Sequence, residues 1–208
     1  MRWIKLTVLV LLGFLAGPVA YLIGGDVLGS DWRTASRKSA NIAPDPLTTA
    51  EAVVHVYAAR TFNWRGAFGV HTWFSVKPTA ASTYTIYEVI GWRGYGGHSA
   101  LTIHNGIPDR YWFGRRPELI GALNGEGVDG IIKRIDLAAR QYPYQHGYKA
   151  YPGPNSNTFT AWVARRVPEL RLDLPPTAIG KDYLGNRLVS EVPSCLLYTS
   201  DAADERSS

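Results

Sequence analysis

The chain has 208 residues, room for one domain with a real core plus terminal segments. Its apolar and charged shares, 46% and 19%, are those of an ordinary globular protein. The net charge of +5 comes from scattered Lys and Arg. Doublets such as Arg115-Arg116 and Arg165-Arg166 make no continuous stripe, so the composition argues against nucleic acid as a partner.

Arg2 and Lys5 precede an uncharged run from Leu6 to Ile23, at the lower end of what spans a hydrocarbon core of roughly 30 Å. Residues 1–25 are therefore expected to be a transmembrane anchor. A cleaved signal peptide is the competing reading, though Pro18 fits the small-residue cleavage pattern poorly. Positive charge before the run and none after it until Arg33 places the N-terminus inside, in a single pass of the inner membrane. The body then lies on the periplasmic side. Residues 26–48 look like a polar tether, and residues 49–193 like one domain.

Along that domain, AEAVVHVYAAR (51–61) is β-branched and apolar and predicts a strand. GVHTWFSVK (69–77) alternates, with Val70, Thr72, Phe74 and Val76 on one face and His71, Trp73, Ser75 and Lys77 on the other. TYTIYEVIGW (83–92) is the next strand, RGYGGH a glycine-rich loop, and SALTIHNG a further strand. RPELIGALNG is expected to be a short helix closed by Gly125 or Gly127, and residues 128–142 a longer amphipathic one. Phe159, Trp162, Val163 and Val167 make the inward stripe of a last helix. Strands followed by helices predict an α+β domain, an antiparallel sheet with helices packed on it. The final stretch, 194–208, carries the single cysteine, Cys195, within CLLYTSDAADE. That string resembles the translation of a sequencing adapter, so the domain is expected to be truncated near Pro193 and Cys195 is assigned no role.

PGPNSNTF (152–159) opens the last helix. Spacing puts Ser156 on its inward face at the first turn, where unpaired N–H groups and the helix dipole would steady an oxyanion. Asn155 or Ser156 as a plain N-cap explains the same residues. His71 in mid-strand and Glu88 in an apolar row are the matching oddities, since a buried carboxylate needs a partner. A four-residue hairpin loop would set His71 directly opposite Glu88. The bland alternatives are a hydrogen-bonded core histidine and an ion pair between Glu88 and some arginine. No histidine or cysteine spacing suits a metal, and no cofactor motif is present.

HTWFSVKP, YEVIGW, RYWFG and PGPNSNTFTAWV together resemble the bacterial family catalogued as domain of unknown function 3750, over roughly residues 50–170. More distantly, a strand with histidine, a second strand and a helix-opening N-x-N-T-F block are similar to circularly permuted papain-like folds. These include NlpC-type amidases, PPPDE peptidases and lecithin retinol acyltransferase. That resemblance implies His71 as base, Glu88 as orienting group and Ser156 in the place of the usual cysteine. It implies Asn155, Asn157 and Trp73 as substrate-binding neighbours. Two functions follow: a serine-variant amidase, esterase or acyl transferase acting on peptidoglycan or lipid, or a non-catalytic envelope module holding a ligand in the same groove.

Overall fold

A computed structural model describes residues 2–24 and 31–185. The expectations for residues 194–208 lie outside them. The chain begins with α1 (Arg2–Gly24), which is long and apolar enough to cross a membrane. Toward its C-terminal end it packs against the 3-10 turn Asn63–Ala67, with Tyr21 beside Gly66. There Arg60 and Arg115 lie over the Tyr21 ring.

The domain is α+β, as a run of strands followed by helices predicts. Five strands, β1 (Val53–Arg60), β2 (Val70–Lys77), β3 (Thr85–Val89), β4 (Leu101–Asn105) and β5 (Glu118–Asn124), pair antiparallel in the order β4-β3-β2-β1-β5. Among the described residues there are four α-helices: α1 ahead of the domain, and α2 (Gly91–Tyr95), α3 (Val128–Arg140) and α4 (Ser156–Arg166) within it. Helices α3 and α4 cover one face of the sheet. Ile132, Ile135, Phe159 and Val163 meet Val54, Val56, Phe74, Val76 and Tyr87 there, so the inward stripes of both helices find the partners their spacing requires. The other face packs Val53, Tyr57, Trp73 and Ile86 against Trp112, with Ile42 and Ala43 along the edge of the cluster. Residues 31–48 are thus no loose tether. Buried Asp109 fastens them by accepting hydrogen bonds from Ser39 Oγ and from the backbone of Ile42 and Ala43.

Two expected elements differ. The segment read as a helix in RPELIGALNG is the edge strand β5, paired along β1. Its apolar residues satisfy either period, and the open edge of β1 decides between them. Gly121 lies close against the Leu172 side chain, where an added Cβ would sit 3.1 Å away. The glycine-rich loop after β3 instead begins with the short helix α2, whose Gly91 lies beneath the Tyr148 ring where a side chain would collide.

Candidate functional site

β2 and β3 pair only through Phe74–Tyr87, Ser75–Ile86 and Val76–Thr85. Continued, that register sets Trp73 opposite Glu88 and His71 opposite Ile90, two residues from the alignment a four-residue loop would give. A shift of two preserves the face of every side chain, so His71 and Glu88 still meet, diagonally. His71 Nε2 lies 3.0 Å from Glu88 Oε2. Beyond Phe74 the two strands part, and the freed edge of β2 takes other partners. Val70 N donates to Thr177 O, and Asn157 Nδ2 donates to Val70 O. The start of α4 therefore occupies the gap that β3 leaves.

Asn155 is the helix cap. Its side chain accepts from the backbone N–H groups of Asn157 and Thr158, while Thr158 Oγ1 accepts from Asn155 N, a reciprocal capping box. Its amide donates to Ala150 O and Ile179 O. Gly180, with φ +89, lies so close that a side chain there would strike Asn155. Ser156 is the first helical residue, buried, and its hydroxyl makes no hydrogen bond among the described residues. Its backbone N–H is likewise left over by the cap. The serine at this helix start is not the cap.

A cavity of about 930 Å³ lies at the parting of β2 and β3, lined by His71, Ile90, Ser156 and a set of aromatic side chains. His71 and Glu88 rise from the face of the sheet opposite α4, and Ser156 reaches the same cavity around the freed edge. No hydrogen bond joins Ser156 to His71. Asn155 and Asn157 also line the cavity, with their polar atoms engaged by the protein. Trp73 is fully buried behind His71, its ring stacked 5.7 Å away and its Nε1 donating to Pro108 O.

The electrostatics around His71 come from a residue the motif search did not single out. Arg110 Nη2 reaches both Glu88 oxygens, at 2.7 and 2.6 Å. Burial by itself would raise the Glu88 carboxyl, but the hydrogen bond from His71 and the charge of Arg110 outweigh it and hold it at about 2. Burial lowers His71 below its ordinary 6.5, and the Arg110 charge adds to that against the pull of Glu88. Arg110 supplies the positive charge, so the imidazole stays neutral. An ionised carboxylate only accepts, which fixes the tautomer: Nε2–H donates to Glu88 and Nδ1 keeps a free lone pair. Trp112 stacks on the ring at 3.7 Å and holds its plane. Both Arg110 and Trp112 stand in RYWFG, so the signal was present. What it lacked was the fold that sets this loop over β2 and β3.

Both groups carry the same pH sign. Each native pKa is depressed, so the unfolded chain takes up the proton first and stability is lost on acidification. The His71 contribution is present above 6.5 and declines below it, and the Glu88 contribution declines from 4.5 toward about 2. Urea unfolding between pH 8 and 3 should show stability falling in these two steps. A flat profile in Glu88→Gln across the lower step would assign that step to this carboxylate.

Among the described residues no cluster of His, Cys, Asp and Glu could hold a metal. No curated protein and no solved structure matches the chain. The family Protein of unknown function (DUF3750) matches residues 51–183, which spans all five strands, α3, α4 and the residues His71, Glu88, Arg110, Trp112 and Ser156. The chain belongs to the DUF3750 family.

Proposed function

We propose that this is a membrane-anchored acyl-transfer enzyme of permuted papain-like type, with serine in the nucleophile position and its domain on the periplasmic side. The observation that carries the reading is the unemployed Ser156 hydroxyl at the start of α4, on the same cavity as a neutral imidazole whose outer nitrogen is tied to Glu88. Ser156 Oγ attacks a carbonyl carbon and its proton passes to His71 Nδ1. The carbonyl π electrons move to oxygen, and the oxyanion sits at the spare N–H of Ser156. The carbon–leaving-group bond then breaks, and His71 returns the proton to the leaving amine or alcohol. Water or an acceptor alcohol, deprotonated by the same His71, releases the acyl group and restores the serine. Glu88 orients the imidazole and stabilises it while it is charged, Arg110 and Trp112 hold that pair, and Trp73 backs the ring. Asn155 and Asn157 fix the helix start and form the polar wall beside the substrate. The substrate is an amide or ester from peptidoglycan or lipid, and no cofactor is needed for this chemistry.

The test is fluorophosphonate labelling of the full chain in membranes. Label is expected on Ser156, lost in Ser156→Ala and much reduced in His71→Ala. Ser156→Ala should melt close to the parent, since the cap is Asn155 and the serine hydroxyl has no protein hydrogen bond to lose. Label absent, or carried by another residue, removes the catalytic reading. A second reading, a non-catalytic ligand-binding module, is favoured by one observation, the missing hydrogen bond between Ser156 and His71. It expects ligand binding without labelling.

A further inference from the structure

Six of the largest exposed aromatic side chains outside α1, Trp32, Trp64, Phe68, Trp92, Tyr95 and Tyr151, line the same cavity. An exposed aromatic group of that size at one opening marks a contact surface. The place of the opening says with what. Trp64 belongs to the 3-10 turn against which the end of α1 packs, through Tyr21 beside Gly66. If α1 crosses a bilayer, Tyr21 sits near its surface, and Trp64 and Phe68 sit there with it, at the depth where tryptophan and tyrosine favour the headgroup layer.

The charges nearby that lack an opposite partner are of one sign. A second cavity of about 590 Å³ adjoins the first, sharing Arg37, Ile90, Trp92, Trp112 and Phe113 as walls. Arg37, Arg93 and Arg110 line it, with Glu88 as its one carboxylate, already engaged by Arg110. Arg37 donates to the carbonyls of Ala35 and Trp32 and lies over Phe113, and Arg93 donates to Ser99 O. Neither has a carboxylate partner among the described residues. An apolar aromatic chamber opening beside a membrane helix thus leads to two exposed guanidinium groups with spare charge.

We propose that the aromatic rim rests on the bilayer and that the joined cavities take an anionic membrane lipid. Its acyl chain lies among the aromatic rings and its phosphate on Arg37 and Arg93. This names the ligand class for the cavity of the proposed enzyme and rests on α1 being membrane-embedded, but it requires no chemistry at Ser156. Phosphate is the shared chemistry of lipid headgroups and free anions, and the apolar chamber commits the proposal to a lipid.

The full chain, reconstituted in phosphatidylcholine vesicles containing phosphatidylglycerol, provides the test. Either lipid carries dibrominated acyl chains, which quench nearby tryptophan. The separate signals of Trp64 and Trp92 are obtained by difference from Trp64→Phe and Trp92→Phe. Trp64 should be quenched by both lipids, and Trp92 severalfold more strongly by brominated phosphatidylglycerol. Arg37→Gln combined with Arg93→Gln should erase that preference without changing the thermal melt, because both side chains are exposed. Ser156→Ala should retain the preference in full, so failed labelling and failed lipid binding are separate results. An unquenched Trp64 overturns the membrane contact. Equal quenching of Trp92 by the two lipids, or competition by inorganic phosphate alone with no chain effect, overturns the anionic lipid.

Discussion

Glu88→Ala is expected to lower the stability of the domain by about 3–5 kcal/mol, the usual cost of removing one partner from a buried ion pair. The carboxylate is 1% exposed and accepts from both Arg110 and His71. Its loss leaves a guanidinium that is only 15% exposed without its counter-charge, and an imidazole without its acceptor. Holding that carboxyl at about 2 against an ordinary 4.5 is itself worth on the order of 3 kcal/mol at neutral pH, which agrees with the range. Glu88→Gln keeps shape and an acceptor for His71 Nε2 while losing charge, so a smaller loss is expected. Denaturant midpoints of the two variants check this. A cost for alanine below about 1 kcal/mol would mean that water reaches Arg110 freely and that the pair is not sealed.

Asn157→Ala should be of similar size, about 3–4 kcal/mol, although the residue carries no charge. Its amide donates to Val70 O at 3.1 Å and to Ile179 O at 2.9 Å, and its oxygen accepts from Thr72 Oγ1 at 3.0 Å. Alanine removes all three bonds from a buried place, at about 1–3 kcal/mol for each partner left unsatisfied, with some relief as Thr72 turns to Thr160. The neighbouring Ser156→Ala should cost almost nothing, so two adjacent helix residues would differ by several kcal/mol in thermal melts. Equal losses would show that the helix start is held by its cap alone.

Much of the scaffold could be read from side-chain period. Alternation in GVHTWFSVK fixed both faces of β2, and the stripe of Ile131, Ile132, Ile135 and Ala138 or Ala139 marked the inward side of α3, where all but the half-buried Ile131 are buried. Short apolar runs were ambiguous, and ELIGALN became a strand only because β1 had an edge to offer. Within the site, the meeting of His71 with Glu88 depended on parity alone, which survives a two-residue change in loop length. The role of Asn155 as cap was one of two options that local sequence could not separate, since serine and asparagine cap equally well. Arg110 and Trp112 were out of reach for a different reason. Both lie in a loop with no period, and their place over the sheet is set by Asp109 and the segment 39–43, contacts nearly seventy residues apart.

The way β2 finds new partners beyond Phe74 also bears on the order in which the chain can be made. Val70 emerges from the ribosome early, but its edge is completed by Thr177 and by Asn157, and Asn157 in turn leans on Ile179. Until those residues have been made, the sheet carries an open notch along β2. Only after more than a hundred further residues can the segment 177–179 seal it. Completion of this sheet therefore waits on the last part of the domain to be synthesised, whatever the order in which its other strands pair.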